Sequence, residues 1–330
     1  MEHESQEPRN GRDLVAALIR AAGRRTEPPT DAYLQVLTAA TAAFREKTAK
    51  RRTRNVLLWA AAASVAAIAI TLSMQWNIPS TKSQIATVAR VVGSAELATD
   101  GDWQPMTRSS GGLERGARLR TLAGGGVALA LDGGASLRLA AATEVQLDGP
   151  RRILLRSGKL YLDNFGSVGT GYQIETPAGT ARDVGTQFEL RVNDGVLRLR
   201  VREGSVEIDR AGRHIGSSAG EQLDIDVLGG VTRSSIAATD AEWQWVETIA
   251  PAPDIEGKPA SVLLTWVARE TGRQLHYEST TAENRAATVI LHGNIRHLAP
   301  LAALDVMLAT TDLEYSLIGD TMEVRTRNEH

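Results

Sequence analysis

The sequence predicts a multi-domain single-pass membrane protein: a short α-helical segment, one transmembrane helix, an all-β domain and a small α+β domain. Three observations carry this reading. The run Val56 to Met74 has no charge, proline or glycine. From Gln84 the hydrophobic period becomes two, interrupted by turn residues about every ten positions. From Ile255 helical spacing returns, interleaved with short strand-like runs.

The apolar run places a transmembrane helix at 55–76. Nineteen residues at about 1.5 Å each make a helix of about 28 Å, close to the hydrocarbon thickness of a bilayer. Lys47, Lys50, Arg51, Arg52 and Arg54 precede it, whereas only Lys82 and Arg90 follow it as far as Val91. That asymmetry puts the N-terminus in the cytoplasm and the long remainder outside. Trp59 and Trp76 fall near the two ends, where indoles favour the interface. A buried helix of a soluble domain would not explain the asymmetry. A cleaved signal peptide would have its basic region some fifty residues nearer the start.

Composition narrows the chemistry. The net charge of −2 gives no field that would draw the chain to nucleic acid. There is no cysteine, which excludes disulfides, thiolate metal sites and cysteine nucleophiles. A chain of 330 residues leaves room for more than one folded domain beyond a single span.

The cytoplasmic segment, 1–54, reads as two short helices separated by Pro28-Pro29. Asp13 caps the first, which carries Leu14, Leu18 and Ile19 on one side. Thr30 or Asp31 caps the second, where Tyr33, Leu37, Ala40 and Phe44 form an apolar stripe. Two such helices bury little surface alone, so the stripe either packs on itself or folds against a partner.

Residues 84–240 form the all-β domain, a sandwich, roll or solenoid-like stack. Val127, Leu129 and Leu131 alternate with Ala128, Ala130 and Asp132, and turns follow at Asp132-Gly133-Gly134, Asp148-Gly149-Pro150, Ser157-Gly158, Asn193-Asp194-Gly195 and Ala211-Gly212. Leu197, Leu199 and Val201 share one strand face, which leaves Arg198, Arg200 and Arg202 on the other. That arginine row is either a solvated face discouraging edge pairing or a surface for an acidic partner.

The stretch Thr176 to Phe188, TPAGTARDVGTQF, resembles the signature of the FecR family of sigma-factor regulators. The matching positions are Thr176, Pro177, Gly179, Asp183, Val184, Gly185, Thr186 and Phe188; Val201-Arg202-Glu203-Gly204-Ser205-Val206 and Ala219-Gly220-Glu221 also resemble the family. Their residue types suit structural roles: Pro177 and Gly179 for a turn, Asp183 for bonding nearby amides, and Gly185 for close backbone approach.

Residues 241–254, with Trp243 and Trp245, read as a linker to a C-terminal domain at 255–327. There, Leu263, Trp266, Val267 and Glu270 have helical spacing, and Leu275 to Tyr277 follow as a strand. Ala287 to Leu291 read as another strand, and Pro300 opens a helix containing Leu301, Leu304, Met307 and Leu308. Leu313 to Leu317 and Met322 to Arg325 complete two βαβ halves with both helices on one face. This region resembles the secretin and TonB short N-terminal domain.

No phosphate loop, HExxH or GxSxG motif occurs, and the chain does not read as an enzyme. His276, His292 and His297 lack recognised metal-ligand spacing, so neither a metal nor a cofactor is expected. The resemblance implies an anti-sigma factor in the bacterial inner membrane. On that reading Leu14, Leu18, Tyr33, Leu37 and Phe44 contact an extracytoplasmic-function sigma factor. The outside domains receive a signal, with a TonB-dependent outer-membrane transducer as one source, and intramembrane and periplasmic proteases cut the chain. No tryptophan precedes Trp59, a departure from many such regulators. The alternative is a non-signalling envelope scaffold built from the same outside domains.

Overall fold

The computed structural model describes residues 15, 18–22, 31, 34–42, 84–99, 101–164, 171–183 and 185–327. It divides into two units, 1–80 and 81–330. In the first, residues 18–21 and 34–42 are helical. The expected span at 55–76 lies outside the described residues, and among those described no helix is long and apolar enough to cross a membrane.

The second unit begins with two β-sheets. One is antiparallel and runs in the order Gly112–Glu114, Gln84–Val92, Gly126–Leu131, Ser136–Leu139, 158–163, Gln187–Asn193, Val196–Glu203, Glu221–Ile225, Val231–Ser235. The other runs Asp102–Pro105, Ala95–Thr99, Arg118–Thr121, Glu144–Gly149, 152–157, Gln173–Thr176, Gly179–Asp183, Ser205–Arg210, Arg213–Ser218. In this second sheet the pairing of 152–154 with 173–175 is parallel. From Gly126 onward the chain passes repeatedly from one sheet to the other, so neither sheet is laid down continuously.

The sheets share one strand, Arg152–Asp163. Its first half pairs in one sheet and its second half in the other, with Gly158 between them at φ +93. A Cβ on Gly158 would lie 2.5 Å from the Thr143 Cα, so the corner needs both the left-handed backbone and the missing side chain. Alternating inward positions from both sheets make a single core, with Leu129, Leu137, Leu160, Phe188 and Leu199 meeting Leu119, Val145, Ile153, Ile174 and Ile208. The all-β reading of this region is thus a sandwich.

The α+β part follows. Helix α1 spans Gln244–Thr248, α2 Ala260–Thr271, α3 Thr280–Thr288 and α4 Pro300–Leu308. Strands Gln274–Tyr277 and Leu313–Ile318 flank a central Thr321–Thr326, parallel to the first and antiparallel to the second. Lys258–Pro259 pairs separately with Ile290–Leu291.

This corrects the expected pair of βαβ halves around one sheet. The proposed strand at Ala287 to Leu291 contracts to two residues, because Thr280–Thr288 is helical. Ser279 caps that helix by accepting from the Ala282 amide at 3.2 Å, and Ala282 and Ala286, four apart, supply its buried face. The expected linker is also a packed segment. Trp243, Val246 and Ala250 are fully buried, with Trp243 packed against Tyr161 and Ile236 of the β region.

Candidate functional site

Two polar constellations stand out, one at the FecR-like motif and one where the α+β part meets the sandwich. At the motif, Asp183 ends a strand of the second sheet and is nearly fully buried. Its Oδ2 accepts from the Asn164 amide at 2.7 Å and from the Thr186 hydroxyl at 3.4 Å, while Oδ1 accepts from the Tyr172 backbone N–H. The Asn164 N–H donates to the Thr186 carbonyl at 2.9 Å. One carboxylate therefore gathers three donors around the crossing from one sheet to the other.

The rest of the motif shapes the backbone. The Thr176 hydroxyl donates to the Gly179 carbonyl at 2.7 Å and accepts from the Ala178 N–H at 3.1 Å, closing the turn that contains Pro177. Gly179 and Gly185 both have positive φ. Phe188 is fully buried in the core, and Val184 lies outside the described residues.

The second constellation lies on the outer face of the first sheet, on strands Ser136–Leu139, 158–163, Gln187–Asn193 and Val196–Glu203. Arg138 meets Glu270 of α2 through two hydrogen bonds, 2.6 and 2.8 Å, and donates to the Val246 carbonyl at 3.1 Å. Arg269, the preceding residue of α2, grips Asp163 at 2.9 and 2.6 Å. Arg202 donates to the Ala238 and Glu270 carbonyls at 2.7 and 2.9 Å and stacks over Trp243. Buried Glu189 accepts from the Trp245 indole at 2.8 Å, and Arg200 reaches Glu242 at 2.7 Å. Arg90 donates across to the Ala250 carbonyl at 2.8 Å.

Sterics are matched to these contacts. Helix α1 sits over Gly124-Gly125-Gly126, and a Cβ on Gly126 would come within 2.8 Å of the Ile249 side chain.

The electrostatics follow from burial. Burial works against the charge on Arg138, and the Glu270 carboxylate more than restores it, so its pKa lies above the ordinary arginine value. Arg269 is raised in the same way by Asp163 against its own desolvation. Burial pushes the Tyr161 phenol and the Glu247 carboxyl up, and pulls Lys159 down despite nearby Glu189. These features make a polar, water-poor contact that holds the α+β part against the sandwich.

Two of the three arginines in the row are therefore neither solvated nor left open for an acidic partner, and Arg198 stays partly exposed. Arg200 and Arg202 are buried under the chain's own α1 and α2 region, while Arg198 pairs with Asp224 at 2.6 Å. Sequence reasoning missed Arg138, Asp163, Glu189, Arg269 and Glu270. The available signs were three charged residues on strands otherwise packed with leucine, and two tryptophans within three residues.

Of the residues expected to contact a sigma factor, Leu18 and Leu37 are helical and exposed. Leu14, Tyr33 and Phe44 lie outside the described residues. Among the described residues no group of histidine and carboxylate side chains is placed to hold a metal; His292 bonds Glu256 at 2.7 Å.

Residues 117–207 match the family model for FecR protein, a span that contains the whole Asp183 constellation. This part of the chain is similar to FecR protein. Two crystal structures of a Parabacteroides distasonis protein provisionally assigned as an anti-sigma factor, at 1.65 and 2.50 Å resolution, also align with it. Each is 15% identical, covers 63% of this chain and 97 or 98% of its own, and gives a TM-score of 0.35, too low to define a shared fold. No curated protein matches the chain. The matched span ends inside the sandwich, whose strands continue to Ser235.

Proposed function

We propose that this protein is a transmembrane sigma-factor regulator of the anti-sigma class. Its first 54 residues hold an extracytoplasmic-function sigma factor at the bacterial inner membrane, and its remaining domains receive a signal in the periplasm. The observation that carries this reading is the FecR match across 117–207, in which the motif residues form a connected buried constellation. The charge asymmetry around Val56 to Met74 supports the topology. Exposed Leu18 and Leu37 on helical backbone suit a segment that folds against a partner. In this reading the TonB-dependent transducer is the source of the signal, and the intramembrane and periplasmic proteases act on this chain as a substrate.

The test is affinity purification of the tagged full-length chain from detergent-solubilised membranes, followed by mass spectrometry. A sigma factor is expected with the native chain and absent with the Leu18→Glu/Leu37→Glu variant. A native chain that is intact in the membrane yet brings down no sigma factor overturns the reading in favour of an envelope scaffold.

A further inference from the structure

The joint between the sandwich and the α+β part also holds an open cleft of about 400 Å³, which shares only Arg90 with the second constellation. Its cationic side chains are Arg90 and Arg108 on the sandwich side and Arg296 on the other, where the His297 imidazole also lines it, with Pro251 and Ala252 beside them. No carboxylate lines it. We infer that this cleft binds a compact oxyanion bearing two or more negative charges, phosphoryl or carboxylate, gripped from both sides of the joint.

The cationic groups are held by local structure. The strand Gln84–Val92 slips register between Val88 and Arg90, a bulge at Ala89 that re-aims the chain where it borders the cleft. Arg90 is tied to the Ala250 carbonyl through Nη1. Arg108 opens a single helical turn in which the Thr107 N–H donates to the Ser110 hydroxyl at 2.9 Å and the Ser110 N–H to the Thr107 carbonyl at 3.0 Å. The Arg296 N–H donates to the Asn294 side chain at 3.0 Å, and Ile295 beside it is buried. The backbone under each guanidinium is thus fixed while the tips of Arg108 and Arg296 remain exposed.

Charge near the cleft is unbalanced. The Arg90 pKa is lowered, first by burial and then by the positive charge of Arg138. Arg108, Arg296 and His297 form no ion pair among the described residues. The acids bordering the recess on the far side of Arg296 are Asp254 and Glu256, and Glu256 is occupied by His292 and the Gly293 N–H. Planar guanidinium forks arranged around a small volume match the oxygens of a phosphoryl or carboxylate group. An anion there would bridge the two parts and stabilise their docking.

The test is calorimetric titration of the full-length chain, in nonionic detergent at low ionic strength, with pyrophosphate against a chloride-matched blank. Saturable binding is expected, with an accompanying rise in melting temperature. Arg108→Gln/Arg296→Gln is expected to weaken it by about a hundredfold, roughly tenfold for each guanidinium removed. Arg213→Gln, on the distant hairpin Arg213–Ser218, is expected to leave it within about twofold. Repeating the titration with phosphatidylglycerol in the micelles separates the sources. Unchanged affinity identifies a soluble oxyanion, and competition that vanishes in the double variant identifies a lipid headgroup. No binding by the native chain, or binding retained in the double variant, overturns the inference. Neither outcome bears on whether a sigma factor is bound.

Discussion

Arg138 and Glu270 lie 132 residues apart in sequence and exchange two hydrogen bonds in a site where they are 1% and 6% exposed. Such a pair stabilises mainly in the sense that neither half is tolerable alone. Arg138→Ala or Glu270→Ala leaves the other charge buried and is expected to destabilise the 81–330 unit by about 3–5 kcal/mol. Arg138→Met/Glu270→Leu removes both charges while keeping the volume, and is expected to fall within about 2 kcal/mol of the native protein. Urea unfolding of the four proteins checks this. Equal losses in Arg138→Ala and the double variant, with Glu270→Ala close to native, would show that the carbonyl contact to Val246, and not the ion pair, carries the energy.

Asp183 is expected to matter through folding. Replacing it with alanine strands the Asn164 amide, the Tyr172 N–H and the Thr186 hydroxyl together, each a donor in a site closed to water. A loss of about 3–5 kcal/mol is expected, from about 1–3 kcal/mol for each buried group left unpaired with some relaxation. Hydrogen exchange should show the opening concentrated at 171–188. Wild-type stability in the variant would mean that the motif serves something other than the fold.

Gly158 and Gly212 both have positive φ, at +93 and +79, yet they differ in what surrounds them. A Cβ at 158 meets Thr143, whereas one at 212 meets open space. Gly212→Ala is therefore expected to lose only the backbone preference, about 1–2 kcal/mol. Gly158→Ala adds a clash at the strand that joins the two sheets and is expected to lose about twice that or more. Thermal melts of the two variants compare them directly.

The alternation in Val127 to Leu131 and Leu197 to Val201 revealed a buried face because a sheet packed on one side repeats every two residues. It could not assign those strands to one sheet or the other, since period two says nothing about which strands pair. In the motif, residue types alone pointed to a turn and a bonding carboxylate, which is what Thr176, Gly179 and Asp183 form. The helix Thr280–Thr288 escaped because its buried face is two alanines, too weak a stripe beside Val289 and Ile290. The docked face was hidden for another reason. Arg200 and Arg202 carry no local mark of what covers them, because Glu242 and the Glu270 region come from later in the chain.

Glu247, on α1, is one source of pH dependence at the docked face. Burial raises its pKa above the ordinary 4.5, and Arg202 and Arg273 only partly oppose this. The folded protein therefore favours the protonated carboxyl more than the unfolded chain does. Stability from this group is fully present below the unfolded value and is lost as pH rises through the folded one. Glu247→Gln keeps the shape of the neutral form without ionising. It is expected to match the native protein near pH 4 and to melt at a higher temperature by pH 7, with the gap opening between. Melting curves of the 81–330 unit across that range measure the difference. A variant less stable than the native protein at pH 7 would instead place the weight on the Arg202 contact, which lies at 3.9 Å.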